Sequence, residues 1–292
     1  MEFEGRLREY GSEIETVLRR YLNPEQDRPY RTVLEAMDYS LSAGGKRIRP
    51  ILTLEFCRLC GGAAEDAYPF AAAIEMVHTY SLIHDDLPCM DDDDYRRGRP
   101  TNHKVYGEAM AVLAGDGLLT EAFAVALSAK IPAERVVRAT AALAEAAGCS
   151  GMLGGQVIDL ESENRQIPLE LLETLHRQKT AALIRGAVRM GAIVGGADAR
   201  QIEAADRYAE ALGLAFQITD DILDVTGDAE KLGKSVHSDE RAGKSTYVTA
   251  LGLEKAKERA EELTACAVES LGVFSDADFL IWLSRKLLRR EN

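Results

Sequence analysis

Residues 67–100 read "AYPFAAAIEMVHTYSLIHDDLPCMDDDDYRRGRP". The first half is apolar, and its periodicity predicts a helix over 66–87. The second half is charged: residues 81–100 hold six aspartates and three arginines. Asp85 and Asp86 fall at the C-terminal end of the helix, where each carboxylate opposes the helix dipole by roughly 0.3–1 kcal/mol. His78 precedes Asp85 by two turns and shares its face. Pro88 ends the helix, and the spacer of residues 87–90 brings Asp91 round to the pair. A solvated acidic loop is the plain reading of such a run. The alternative is a hard-cation site. Carboxylates without thiolates or HxxH spacing suit Mg²⁺, which completes its shell from water and substrate phosphate. Arg96 and Arg97 fit that alternative, because guanidinium binds phosphate in a bidentate fork.

A second cluster decides between them. In "FQITDDILDV", residues 216–225, Gln217, Asp220, Asp221 and Asp224 stand at i, i+3, i+4 and i+7, one stripe along an otherwise apolar helix. A surface helix also places charge on one side, but it commonly supplies basic partners at i+4, and none is present. Aligned aspartates repel one another unless a cation neutralises them. Two such clusters converging across a cavity would hold several Mg²⁺ ions against one polyanion.

The rest of the chain sets limits. Its 292 residues allow one large domain or two small ones, and the 46% apolar content is enough for a sizeable core. A net charge of −13 leaves no basic excess to release counterions, so no nucleic-acid partner is expected. Cys57 and Cys60 form a CxxC without a second pair at zinc spacing, so the five cysteines read as helix residues in a reducing cytosol. The charged start "MEFEGRLREY" is unlike a signal peptide. No apolar run is expected to reach the ~18–20 residues that span a bilayer. Alanine, leucine and glutamate are abundant, and helices are expected over 3–21, 30–42, 48–60, 66–87, 105–129, 133–147, 168–195, 199–225, 245–270 and 276–290. "GGQVIDLESENRQIP" is placed between helices. Without a linker or repeat, residues 1–292 read as one all-α domain, a bundle enlarged by extra helices around a central cavity. There is no Ser/His/Asp or Cys/His constellation, and of five histidines only His78 is expected to share an acidic face in the interior.

"GGKRIRP", "YSLIHDDLPCMDDDDYRRGRPTNHKVYG", "HRQKT", "FQITDDILDVTGD" and "LGKS…AGKST" together resemble the short-chain trans-polyprenyl diphosphate synthases, in order and spacing, over roughly residues 30–290. Bacterial farnesyl diphosphate synthases are most similar, with geranylgeranyl diphosphate synthases next. The resemblance implies an isoprenoid-synthase fold, a cytoplasmic homodimer and about three Mg²⁺ ions per site. It implies a condensation in which an allylic diphosphate ionises, isopentenyl diphosphate adds to the carbocation, and a proton is lost. Asp85, Asp91 and the supporting Asp86 match the first metal motif, and Asp220 with Asp221 and Asp224 the second. Arg96, Lys179, Lys234 and Lys244 match contacts to the allylic diphosphate. Lys46, Arg49, His78 and Arg97 match the isopentenyl diphosphate set, with Arg47 less clearly placed. Thr180 and Gln217 match residues beside the reacting carbons. Gln156 and Asp159 receive no role beyond shaping the cavity wall.

Tyr80 lies five residues before Asp85, about 7.5 Å along the helix at ~1.5 Å per residue. Its ring is expected to close the pocket into which the product grows, with Met76 and Ser81 lining it; ordinary core packing is the alternative. The family pattern places the product at farnesyl (C15), with geranylgeranyl (C20) second. A terpene cyclase would not need the isopentenyl set, and a non-catalytic subunit tends to lose one aspartate motif. The C-terminal "SRKLLRREN" reads as an exposed basic helix end.

Overall fold

A computed structural model describes residues 2–22, 28–226 and 244–288. The chain opens with α1 (Glu2–Tyr21), α2 (Arg31–Leu41), α3 (Ile48–Leu59) and α4 (Ala64–Asp85). A short antiparallel hairpin, β1 (Tyr95–Arg96) and β2 (Arg99–Pro100), follows. Next come α5 (Asn102–Tyr106), α6 (Glu108–Leu127), α7 (Ala133–Ala147), α8 (Met152–Glu161) and α9 (Leu169–His176). A π-helical turn, Arg177–Ala181, leads into α10 (Ala182–Gly195) and then α11 (Ala199–Thr226). α12 (Tyr247–Leu251), α13 (Leu253–Ser270), a 3₁₀ turn and α14 (Asp278–Leu288) complete the described chain.

α10 is the centre of the fold and packs on α3, α4, α7 and α11. Small residues permit this. A Cβ at Gly191 would lie 2.2 Å from the Thr53 carbonyl oxygen, so the α3–α10 approach requires glycine. The Thr53 hydroxyl spans the same contact by donating to the Ala187 carbonyl at 3.1 Å. α4 is buried nearly all round, as expected of a helix apolar on every face. α4 and α11, which carry the two acidic motifs, both pack on α10 without broad contact with each other.

α1 is tied to this core through Glu55 of α3. That fully buried carboxylate accepts from Arg6 and the Tyr10 hydroxyl, each at 2.6 Å, and from Arg58 at 2.8 Å. Cys57 and Cys60 close α3; burial pushes their thiols up to about 12 and about 11, out of the reactive range. All five cysteines are free.

Several expectations change. Residues 152–161 form α8 rather than a connection. The helix expected over 168–195 is interrupted by the π turn. Those expected over 105–129 and 245–270 divide at Gly107 and Gly252, whose φ values of +84° and +82° each end one helix and start the next. α6 is also long and apolar enough to cross a membrane by length and composition, contrary to expectation. In the fold it is the main partner of α4, and Asp116 and Glu121 lie along it. It also leaves Val112, Leu113 and Leu127 exposed. His103 and His176 are buried, whereas His78 is half-buried.

Candidate active site

α4 ends at Asp85, and Asp86 is its C-cap. The chain then wraps back. The Asp91 N–H donates to the Asp85 carbonyl at 2.8 Å, and the Leu87 carbonyl accepts from Met90 and Asp92 at 2.8 and 3.2 Å. This loop returns Asp91 to Asp85, as the spacer length predicts. Burial raises the Asp85 pKa and Asp91 adds to the rise, while Lys179 and Arg96 pull it down. Asp86 is 3% exposed and accepts from Arg96 Nε at 2.6 Å; burial pushes its carboxyl up to about 6 against that pairing. Asp93 and Asp94 fasten the hairpin that carries the arginines. Asp93 reaches Arg96 at 3.2 Å, Asp94 pairs with Lys104 at 2.6 Å, and the Thr101 hydroxyl donates to the Asp93 carbonyl at 2.8 Å.

A second group is cationic. The Arg97 guanidinium donates to the Gly44 carbonyl. A Cβ at Gly45 would sit 2.7 Å from its Cζ, and φ at Gly44 and Gly45 is +82° and +125°, so this turn requires glycine twice over. Lys46 follows on the exposed side of the turn. Arg47 does not join the group: it is buried on Glu75 at 2.5 Å, Glu15 at 2.8 Å and the Leu41 carbonyl at 2.6 Å, and holds the loop in place. Arg49 and His78 face the same space. Burial and then Arg49 and Arg97 hold His78 well below the usual imidazole range, so it is neutral. Burial also lowers the pKa values of Arg49 and Arg97. Among the described residues neither has a carboxylate at ion-pair distance, and Arg49 Nε is buried without a partner. With Arg49 half-buried and Arg97 exposed, two guanidiniums without counter-charge among the described residues suit an anion.

The third wall is the π turn with α8 and α11. The wider turn lets two adjacent residues reach different neighbours. Lys179 Nζ pairs with Asp159 Oδ2 at 2.5 Å. The Thr180 hydroxyl donates to Gln217 Oε1 at 3.0 Å. Gln217 Nε2 in turn donates to Asp221 Oδ1 at 3.0 Å, and Asp221 Oδ2 accepts the Tyr247 N–H at 2.8 Å. Asp221 is 2% exposed, so it lies beneath the stripe. Asp220 and Asp224 are half-buried, and Asp220 acts electrostatically on Arg49. Lys244 lies 3.9 Å from Asp91. Lys234 lies outside the described residues.

The donor chemistry fits Mg²⁺. Asp85 and Asp91 at the end of α4 and Asp220 and Asp224 on α11 offer hard oxygens, and burial already opposes ionisation of Asp85. Among the described residues no three His, Cys, Asp or Glu side chains close around one point. An ion here would take few protein ligands and complete its shell from water and a phosphate, as Mg²⁺ commonly does.

The polyprenyl synthetase family model matches residues 30–271. The chain belongs to that family. Farnesyl diphosphate synthase of Geobacillus stearothermophilus is 51% identical over 264 residues, 89% of this chain and 88% of that protein. Geranylgeranyl pyrophosphate synthase 3, chloroplastic, of Arabidopsis thaliana is also 51% identical, over 269 residues, 89% of this chain and 75% of that protein. The crystal structure of geranylgeranyl pyrophosphate synthetase from Pyrococcus horikoshii superposes with a TM-score of 0.92 at 30% identity, covering 100% of both chains. The isoprenoid-synthase fold inferred from the sequence is thereby established.

In this polyprenyl synthetase, Tyr80 is 8% exposed and sits edge-on to His84, ring centroids 5.7 Å apart. His84 is itself seated in a notch, since a Cβ at Gly115 of α6 would lie 2.0 Å from its Nε2. Met76 is fully buried one turn below Tyr80, and Ser81 is half-buried with its hydroxyl on the His78 carbonyl at 2.9 Å. Sequence reasoning missed Asp159 as the partner of Lys179, Asp93 as a support of Arg96, and His176 under the π turn. For Asp159 the available signal was the Gly154–Gly155 pair, which marks a close approach of backbones.

Proposed function

We propose that this polyprenyl synthetase condenses isopentenyl diphosphate with an allylic diphosphate, dimethylallyl and then geranyl, to give farnesyl diphosphate. The observation that carries the reading is the pairing of two unlike sites. On one side Arg49 and Arg97 have no carboxylate at ion-pair distance among the described residues. Asp85, Asp91, Lys179 and Lys244 gather on the other. One diphosphate is suited to direct cationic contact and the other to metal.

Lys46, Arg49, Arg97 and neutral His78 bind the isopentenyl diphosphate. Asp85 and Asp91, with Asp220 and Asp224 of α11, would hold about three Mg²⁺ ions, which would supply positive charge to the allylic diphosphate as a leaving group. Arg96, held by Asp86 and Asp93, and Lys179, Lys234 and Lys244 contact the same leaving group. The bond electrons leave with the diphosphate. The Thr180 hydroxyl and Gln217 carbonyl turn oxygens toward the allyl cation, whose positive charge they stabilise. The isopentenyl double bond forms the new C–C bond, and the departed diphosphate accepts the released proton. No protein general base is then required.

Relatives making either product length are equally identical to this chain, so identity does not rank C15 above C20. Tyr80 carries the C15 reading, because its ring stands below Asp85 on the same helix. The exposed Val112, Leu113 and Leu127 of α6, with Val137 of α7, support a homodimer through that face. The five free thiols support a cytoplasmic location. Diphosphate release from dimethylallyl diphosphate should require both isopentenyl diphosphate and Mg²⁺, and mass spectrometry should find farnesyl diphosphate. A cyclase would consume a longer allylic diphosphate alone, and a C20 product would replace the chain-length assignment.

A further inference from the structure

α8 was not expected from the sequence, and its position has a specific cause. At Gly155 a Cβ would lie 2.1 Å from the Lys179 backbone nitrogen and 2.5 Å from its Cα. At Gly154 it would lie 2.9 Å from Gln178 Oε1. The two glycines therefore let α8 lie directly on the π turn. One helical turn further along α8, Asp159 meets Lys179, Oδ2 to Nζ 2.5 Å, with the side chains 17% and 25% exposed. The same ammonium acts on Asp85, and Asp159 is felt there too, so the pair opens onto the aspartates of the first motif.

A lysine placed beside metal-binding carboxylates creates a conflict. Its chain is long and flexible, and an unpaired ammonium would settle on Asp85 or Asp91. There it would compete with Mg²⁺ for those oxygens. A partner of its own on a different helix removes the conflict. We infer that Asp159 is a positioning residue that holds Lys179 away from the first aspartate motif and aimed at the allylic diphosphate. Gly154 and Gly155 supply the close packing that makes this possible. The inference rests on the proposed assignment of Lys179 to that diphosphate. It gives the "GGQVIDL" segment a role in setting metal and diphosphate affinity.

The test is a double-mutant cycle read by calorimetric binding of inorganic diphosphate at fixed Mg²⁺, with D159N, K179M and the double variant. D159N should weaken binding about 10-fold and raise the Mg²⁺ concentration needed for half-maximal binding. D159N added to K179M should change neither. D159E should restore most of the loss by keeping the charge pair, and isopentenyl diphosphate binding without Mg²⁺ should be unchanged throughout. Melting curves confirm that each variant is folded, and D159E keeps the question answerable if D159N is not. Loss from D159N that persists in full on the K179M background would mean that Asp159 acts on the ion or the fold itself, overturning the inference. A wild-type protein that binds diphosphate without regard to Mg²⁺ would instead overturn the functional reading.

Discussion

Asp221 accepts the side-chain amide of Gln217 on one carboxylate oxygen, at 3.0 Å, and a backbone N–H on the other. An amide has one donor end and one acceptor end, so fixing the nitrogen on Asp221 fixes the oxygen on Thr180. The second aspartate of the second motif thus orients a neighbour, while Asp220 and Asp224 remain with the space. Asp221→Asn should lower kcat by roughly 100-fold, the scale for small misplacement of a positioned group. The Mg²⁺ concentration for half-maximal rate should stay within about twofold of wild type. A large rise in that concentration would return Asp221 to the metal ligands.

The metal assignment of the flanking residues makes a separate prediction. Asp85→Ala and Asp220→Ala should each reduce turnover by at least about 1,000-fold, because the leaving diphosphate loses charge compensation. Both variants should keep the wild-type helical circular dichroism. Wild-type rates in either would refute the assignment.

Much of this site is legible in the sequence, because its key spacings are helical or set by a short turn. Asp220 and Asp224 lie one turn apart, and a four-residue spacer containing proline leaves few ways for Asp91 to return to Asp85. What the sequence hides are partners that meet only in three dimensions. Gln217, Asp220, Asp221 and Asp224 form one stripe by spacing, and spacing alone cannot show that Asp221 caps α12 while its neighbours face the space. Lys46 and Arg49 match the isopentenyl set with Arg47 less clearly placed between them, and spacing cannot show that Arg47 is neutralised by Glu75 and Glu15 from distant helices. Two glycines weaken the helix propensity of residues 152–161, yet those glycines are what the packing of α8 requires. The π turn leaves the apolar pattern of 169–195 almost unchanged, so periodicity could not reveal it.

Tyr80 gives a prediction about products. Its ring is buried below the metal motif and braced by His84, so Tyr80→Ala should open the pocket and lengthen the product by at least one isoprene unit. The cavity should cost about 3 kcal/mol of stability. Product chromatography with mass spectrometry reads the first effect and denaturant unfolding the second. An unchanged farnesyl product from the folded variant would show that another side chain closes the pocket.

His176 gives a prediction about pH. The ring is buried against Tyr247, its Nε2 lacks a partner among the described residues, and burial lowers its pKa from 6.5 to about 4. Between those values the unfolded chain binds a proton that the folded protein excludes. Stability from this group is therefore complete above pH 6.5 and is lost as pH falls toward about 4. At about 1.4 kcal/mol per unit, the change approaches 3 kcal/mol. Asp86, pushed up to about 6, runs the opposite way: its folded form holds a proton that the unfolded form releases, so its contribution falls as pH rises. Only a difference measurement isolates the histidine. His176→Phe keeps the ring contact and removes the titration, so the unfolding free energies of wild type and variant should converge toward or cross in favour of the variant as pH drops from 6.5 to 4. Parallel curves across that window would mean that His176 takes up its proton without opening the π turn above it.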